Sequence, residues 1–218
     1  MEQPQEGEGL ILRDPNINPP QVRKLLLQIG SEIVTDISLV RTPLSKSTQF
    51  LLNIASFGQL QSAMQEAKID KLFHLSMLIN GKYQLEKNEV IKFRKNPNVI
   101  SLNSETLKVP INEPVSINQM LENTQKRMGS SYGSYDAVSN NCSVFLSNIL
   151  SSNNLNNENT DTFLNQSTQE LFGLFPSLSK YLVKLGTDTG AVVDRQIQGE
   201  GTLEYFYNFG YPRCKIIV

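Results

Sequence analysis

Histidine and cysteine are nearly absent from this chain of 218 residues, which holds one His and two Cys. Cys142 and Cys214 are too few for a disulfide framework or a thiolate metal site, and His74 alone excludes a histidine-rich one. No metal and no cofactor is therefore expected, and the thiols read as reduced ones in a reducing compartment. Charge of one sign is missing too. Lys and Arg number 20 against 21 Asp and Glu, a net charge of −1, so neither a basic field for nucleic acid nor an acidic solvated tail is present. Long apolar runs are also missing. Leu25-Leu26-Leu27, Met77-Leu78-Ile79 and Ile216-Ile217-Val218 fall far short of the roughly 20 residues that span a bilayer. The opening MEQPQEGEGL is acidic and lacks the basic-then-apolar layout of a secretory signal. The expectation is a soluble, intracellular (cytoplasmic) protein with no transmembrane segment and no nucleic-acid partner.

What is present is an ordinary, rather polar globular composition, with 39% hydrophobic and 19% charged residues. The length suits one domain with a real core. Residues 1–19, rich in Glu, Gln, Gly, Pro and Asn, read as a flexible N-terminal arm, and residues 20–218 as the folded domain with a C-terminal helical extension. QVRKLLLQIG has Val22, Leu25, Leu26 and Ile29 at helical spacing, with Gly30 as a stop. EIVTDISLVR alternates as a strand until Pro43. A second helix is expected over Thr48 to Leu60. KLFHLSMLI, Asn80-Gly81 and KYQLEKNEVIKF read as a β-hairpin, because Asn and Gly tolerate the positive φ that its turn requires. Ser116 caps a helix that ends at Gly129. A further helix opens near Cys142, and two more are expected over Asp161–Phe172 and from Ser177 to about Gln196. The fold class is α+β.

Chemistry points to SNNCSVFLSNIL. Ser139, Asn140 and Asn141 are good helix caps, so Cys142 projects from the first turn of a helix, where unpaired N–H groups and the helix dipole favour a thiolate. A thiolate is the nucleophile of acyl transfer, and the same N–H groups can serve an oxyanion. A buried, inert thiol is the plainer alternative. His74 lies on an apolar strand, where a hydrogen-bonded core histidine is the common case. As the chain's sole histidine it is the one ring available to Cys142.

A strand-borne His followed by an Asn-Cys pair opening a helix, here His74 and Asn141-Cys142 with Phe145, resembles the circularly permuted papain-like hydrolases. These are the NlpC-like and lecithin:retinol acyltransferase-like groups. The segments LVRTP, FLLNIASFGQ, KLFHLSMLI, LEKNEVI, NNCSVFLSNIL and FLNQSTQELF are similar to uncharacterised members from large DNA viruses and related mobile elements. The likeness runs from about residue 22 to 200. It implies a permuted papain-like fold, a small antiparallel sheet with the Cys helix packed on it and further flanking helices. It also implies a cysteine hydrolase, a peptidase or amidase acting through an acyl-thioester on Cys142 with His74 as general base. The third residue of the likeness, often His, falls at Glu86, which can orient the imidazole.

Hairpin parity bears on that third residue. A strict two-residue Asn80-Gly81 loop would set Glu86 on the face away from His74. A three-residue loop or a bulge sets His74 opposite Asn88, with Glu86 one diagonal step away. Glu86 or Asn88 can then orient the ring, with Glu86 the expected one. Asn141 and Tyr135 are candidate supporting residues. Tyr132 and Tyr135 precede the Cys helix, where an aromatic packed under the helix start is the plainer role. A protein or peptide substrate follows. The alternative is a non-catalytic structural or assembly component, such as part of a virus particle (virion), that retains the fold.

Overall fold

The computed structural model describes residues 11–43, 59–66, 73–88, 90–95, 100, 103–135 and 140–164. The expected helix over Thr48–Leu60 lies almost wholly outside them, as do the helix over Asp161–Phe172 after residue 164 and the whole of the one from Ser177 to about Gln196. The architecture is α+β: five antiparallel strands with helices. Helix α1 spans Pro20–Ile29, α2 Gln59–Glu66, α3 Ile117–Met128, α4 Cys142–Ser152 and α5 Glu158–Leu164. Strands β1 to β5 are Ile37–Pro43, Phe73–Ile79, Tyr83–Lys87, Ile91–Lys95 and Glu105–Val109. They lie in the order β4-β3-β2-β1-β5.

Local signals account for most boundaries. Pro20 opens α1, where a missing N–H costs nothing, and Gly30 closes it by donating its N–H to the Leu26 carbonyl. Ser116 caps α3 by accepting the Gln119 N–H, and Gly129 ends that helix at φ 56°. The β2–β3 connection is a three-residue loop. Ile79 pairs with Tyr83, Asn80 and Gly81 both take positive φ, and the Lys82 N–H donates to the Ile79 carbonyl. Asn80 also locks the turn to the chain before β1, since its Oδ1 accepts the Thr35 N–H at 2.7 Å and its Nδ2 donates to the Ile33 carbonyl.

Two expectations change. KYQLEKNEVIKF is two strands, not one hairpin arm. The chain turns at Asn88–Val90, where the Asn88 N–H donates to the Val90 carbonyl, and β4 returns along β3. The second half of the presumed flexible arm packs on the domain. Leu12 is fully buried in the core, and Asn18, also buried, donates through Nδ2 to the Leu12 carbonyl. Leu12, the partly buried Ile17 and the Asn18 Nδ2 bond hold residues 11–18 against the fold.

Strand alternation gives the sheet two unlike faces. Odd-numbered residues of β1–β3, among them Leu39, Leu75, Met77 and Leu85, join Leu26 of α1, Met120 of α3 and Phe145, Leu146 and Ile149 of α4 in one hydrophobic core. Each such side chain contributes about 1.5–3 kcal/mol by leaving water. The even-numbered face is also covered but more polar: beside Val40, the residues Ser38, Ser76, Gln84 and Glu86 are all buried there. A buried polar row on a sheet is costly unless its members bond to one another. Among the described residues no helix is long and apolar enough to cross a membrane.

Candidate functional site

The polar face of the sheet holds His74. The three-residue loop places β2 and β3 so that Leu78 pairs with Gln84 and Met77 with Leu85, which puts His74 and Glu86 on the same face. Their side chains meet, with His74 Nε2 and Glu86 Oε2 2.9 Å apart. Glu86 is 5% exposed and is gripped from two more sides. Gln84 Nε2 donates to its Oε2 at 3.0 Å, and Arg94 Nη2 lies 3.5 Å from its Oε1. The bond to the ring thus comes from Glu86. Asn88 is half-buried at the end of β3.

Cys142 is the first residue of α4. Asn141 is its N-cap, in extended conformation, with Oδ1 accepting the Val144 N–H at 3.1 Å. The cap fixes the direction of the first turn, and α4 packs against β2 and β3. Pairing between β2 and β3 stops at Met77–Leu85. Beyond that point the thiol reaches β2, bonding to the His74 side chain and accepting the Leu75 backbone N–H as well as that of Ser143. Cys142, His74 and Glu86 therefore form one continuous hydrogen-bonded chain.

The charges within it reinforce each other. Burial works against a charged ring at His74, but the bonds and charges of Cys142 and Glu86 outweigh it and raise the imidazole to about 10. At Cys142 burial pushes the thiol up, yet the bond and charge of His74, then the two backbone N–H groups, bring it below its ordinary value. Burial likewise pushes the Glu86 carboxyl up, and the bond and charge of His74, followed by the charges of Arg94 and Lys92, hold it below its usual range. The charged form of each group is thus favoured by a neighbour of opposite sign.

Tyr135 is half-buried in the segment before α4, whereas Tyr132 is buried with its ring edge-on to Phe145. Sequence reasoning missed Gln84 and Arg94 as supports of Glu86. Alternation along β3 signals the first, since residues 84 and 86 share a face. The second needs the register of β4, in which Gln84 pairs with Arg94 and Glu86 with Lys92. It also missed Lys87, and it read Asn140 as a cap, whereas Asn141 is the N-cap and Asn140 accepts from Lys87 before the start of α4. Among the described residues no cluster of His, Cys, Asp or Glu is arranged to hold a metal ion. No protein-family model, no curated protein and no solved structure matches the chain.

Proposed function

We propose that the chain is a cysteine hydrolase of the permuted papain-like kind, a peptidase or amidase. The observation that carries this reading is the unbroken chain from the Cys142 thiol through the His74 ring to the Glu86 carboxylate. Cys142 as thiolate attacks the substrate carbonyl, forming the C–S bond. Backbone N–H groups at the start of α4 face the oxyanion that develops there. Glu86 occupies Nε2 of His74, so proton exchange with the thiol and the leaving group falls to Nδ1. The imidazolium gives its proton to the departing amine as the C–N bond breaks. It then takes one from water, which attacks the thioester and releases the acid and the thiolate. Glu86 holds the ring in the tautomer and orientation that both steps need.

A protein or peptide amide suits this sequence of steps because the thioester stores the acyl group between the two proton transfers. The competing role is an assembly component that keeps the residues without turnover. Labelling with an acyl-type, thiol-directed probe separates the two. The hydrolase labels at Cys142, and labelling is lost in Cys142→Ala and falls steeply in His74→Ala. Equal labelling of Cys142 and Cys214, unchanged in His74→Ala, would leave the assembly role standing.

A further inference from the structure

Lys87 follows Glu86 on β3, and alternation sends it to the opposite face, into the hydrophobic core. Its side chain is 1% exposed. Among the described residues no carboxylate pairs with it. Nζ instead donates to the Ser131 carbonyl at 2.9 Å and to Asn140 Oδ1 at 3.2 Å, and lies 5.2 Å from the centre of the Phe145 ring. A buried ammonium without a counter-charge is costly, and burial lowers Lys87 to about 8. A methionine would fill the same space without that cost, so packing alone does not account for a lysine here.

Its partners give the reason. Asn140 is buried, and its Nδ2 donates to the Ser131 carbonyl at 2.7 Å and to the Ser134 carbonyl at 2.8 Å. One residue later comes the N-cap Asn141, and then Cys142. Phe145, under the Lys87 ammonium, is held into the first turn by its N–H to the Asn141 carbonyl. Lys87 thus ties β3 to both sides of the point where α4 begins. The same strand sends Glu86 to the ring and Lys87 to the backbone that carries the thiol.

We propose that Lys87 is a positioning residue, a strut that through Asn140 and Ser131 sets the start of α4 against β3 so that Cys142 meets the ring oriented by Glu86. The proposal rests on the Cys142–His74 reading and adds a residue to it. A neutral apolar side chain at 87 leaves Asn140 Oδ1 without its donor and takes one of two donors from the Ser131 carbonyl, which frees the helix start. The thiol then loses part of its contact with His74, and thiolate with it.

The test is iodoacetamide alkylation of Cys142, followed by peptide mapping against pH, in wild type, Lys87→Met, Lys87→Gln and Asn140→Ala. It is accompanied by amide hydrogen exchange at Phe145 and by circular dichroism. One pKa unit of lost acidity is a tenfold loss of thiolate below the inflection. Lys87→Met should slow alkylation on the acidic side by about that factor, with faster exchange at Phe145 and an unchanged sheet. Asn140→Ala should act in the same direction. Lys87→Gln, which keeps an amide donor, should recover part of the rate, and it serves as the test variant if Lys87→Met does not fold. A folded Lys87→Met or Lys87→Gln with wild-type alkylation at every pH and wild-type exchange at Phe145 would overturn the strut. A wild-type protein whose Cys142 alkylates with a free-thiol profile would instead overturn the Cys142–His74 reading itself.

Discussion

Replacing Glu86 by Gln removes one negative charge from the buried chain while keeping its size. In the native protein Oε2 receives His74 Nε2 at 2.9 Å and Gln84 Nε2 at 3.0 Å. The substitution leaves a neutral amide against the ring. Hydrogen bonds to charged groups contribute about 1.5–3 kcal/mol. The His74 side chain is 30% exposed, so solvent screens part of this, and the lower end, about 1.5 kcal/mol, is the appropriate figure. At 1.36 kcal/mol per unit this lowers the imidazole by about one unit, so the pH at which Cys142 loses its cationic partner falls by about the same amount. His74 is the chain's single histidine, so its ring C–H signals in a proton NMR titration are unambiguous. The wild-type ring should stay protonated well above the ordinary histidine range, and Glu86→Gln should titrate lower, with slower alkylation of Cys142 in parallel. A wild-type ring titrating near 6.5, or one unmoved by Glu86→Gln, would refute the reasoning.

Stability should depend on pH through the same ring. Raising His74 from 6.5 to about 10 in the folded state gives a contribution fully present below pH 6.5 and lost as pH rises through 10. The difference in melting temperature between wild type and His74→Gln should therefore narrow across that window, and a constant gap would count against it. Asn80→Ala should cost about 2–4 kcal/mol in denaturant unfolding, because it loses a φ of 53° that Asn tolerates and three backbone partners. Asn80→Gly should recover the backbone part alone. Equal losses in the two variants would mean that the hydrogen bonds carry the whole effect.

Much of the site is local chemistry and is legible without a structure. An Asn before a Cys at the head of an apolar-periodic run is a cap followed by a first-turn thiol, since capping depends on residues three apart. The Asn80-Gly81 turn and the count of residues around it made a same-face His74 and Glu86 conditional on an odd-length loop, and the loop has three residues. The α+β class follows from the two periodicities. Strand ends were less legible. KYQLEKNEVIKF contains its own turn, and Leu12 could not be seen to anchor residues 11–18 because Ile11, Leu12 and Ile17 follow neither a helical nor a strand period.

Tertiary structure alone decided how the faces of the sheet are used. That Arg94 supports Glu86 depends on where β4 returns, and that Lys87 meets Asn140 depends on a contact between residues 53 positions apart. Neither residue type announces such a role, for a lysine on a strand reads as solvated until its surroundings are known. By itself the sequence determined which groups are the candidates, because thiol, cap and ring are set by residue type and spacing of a few positions. Only the folded chain decided that thiol, ring and carboxylate meet in one line, because that requires β2, β3 and the start of α4 to converge where the pairing of the two strands ends.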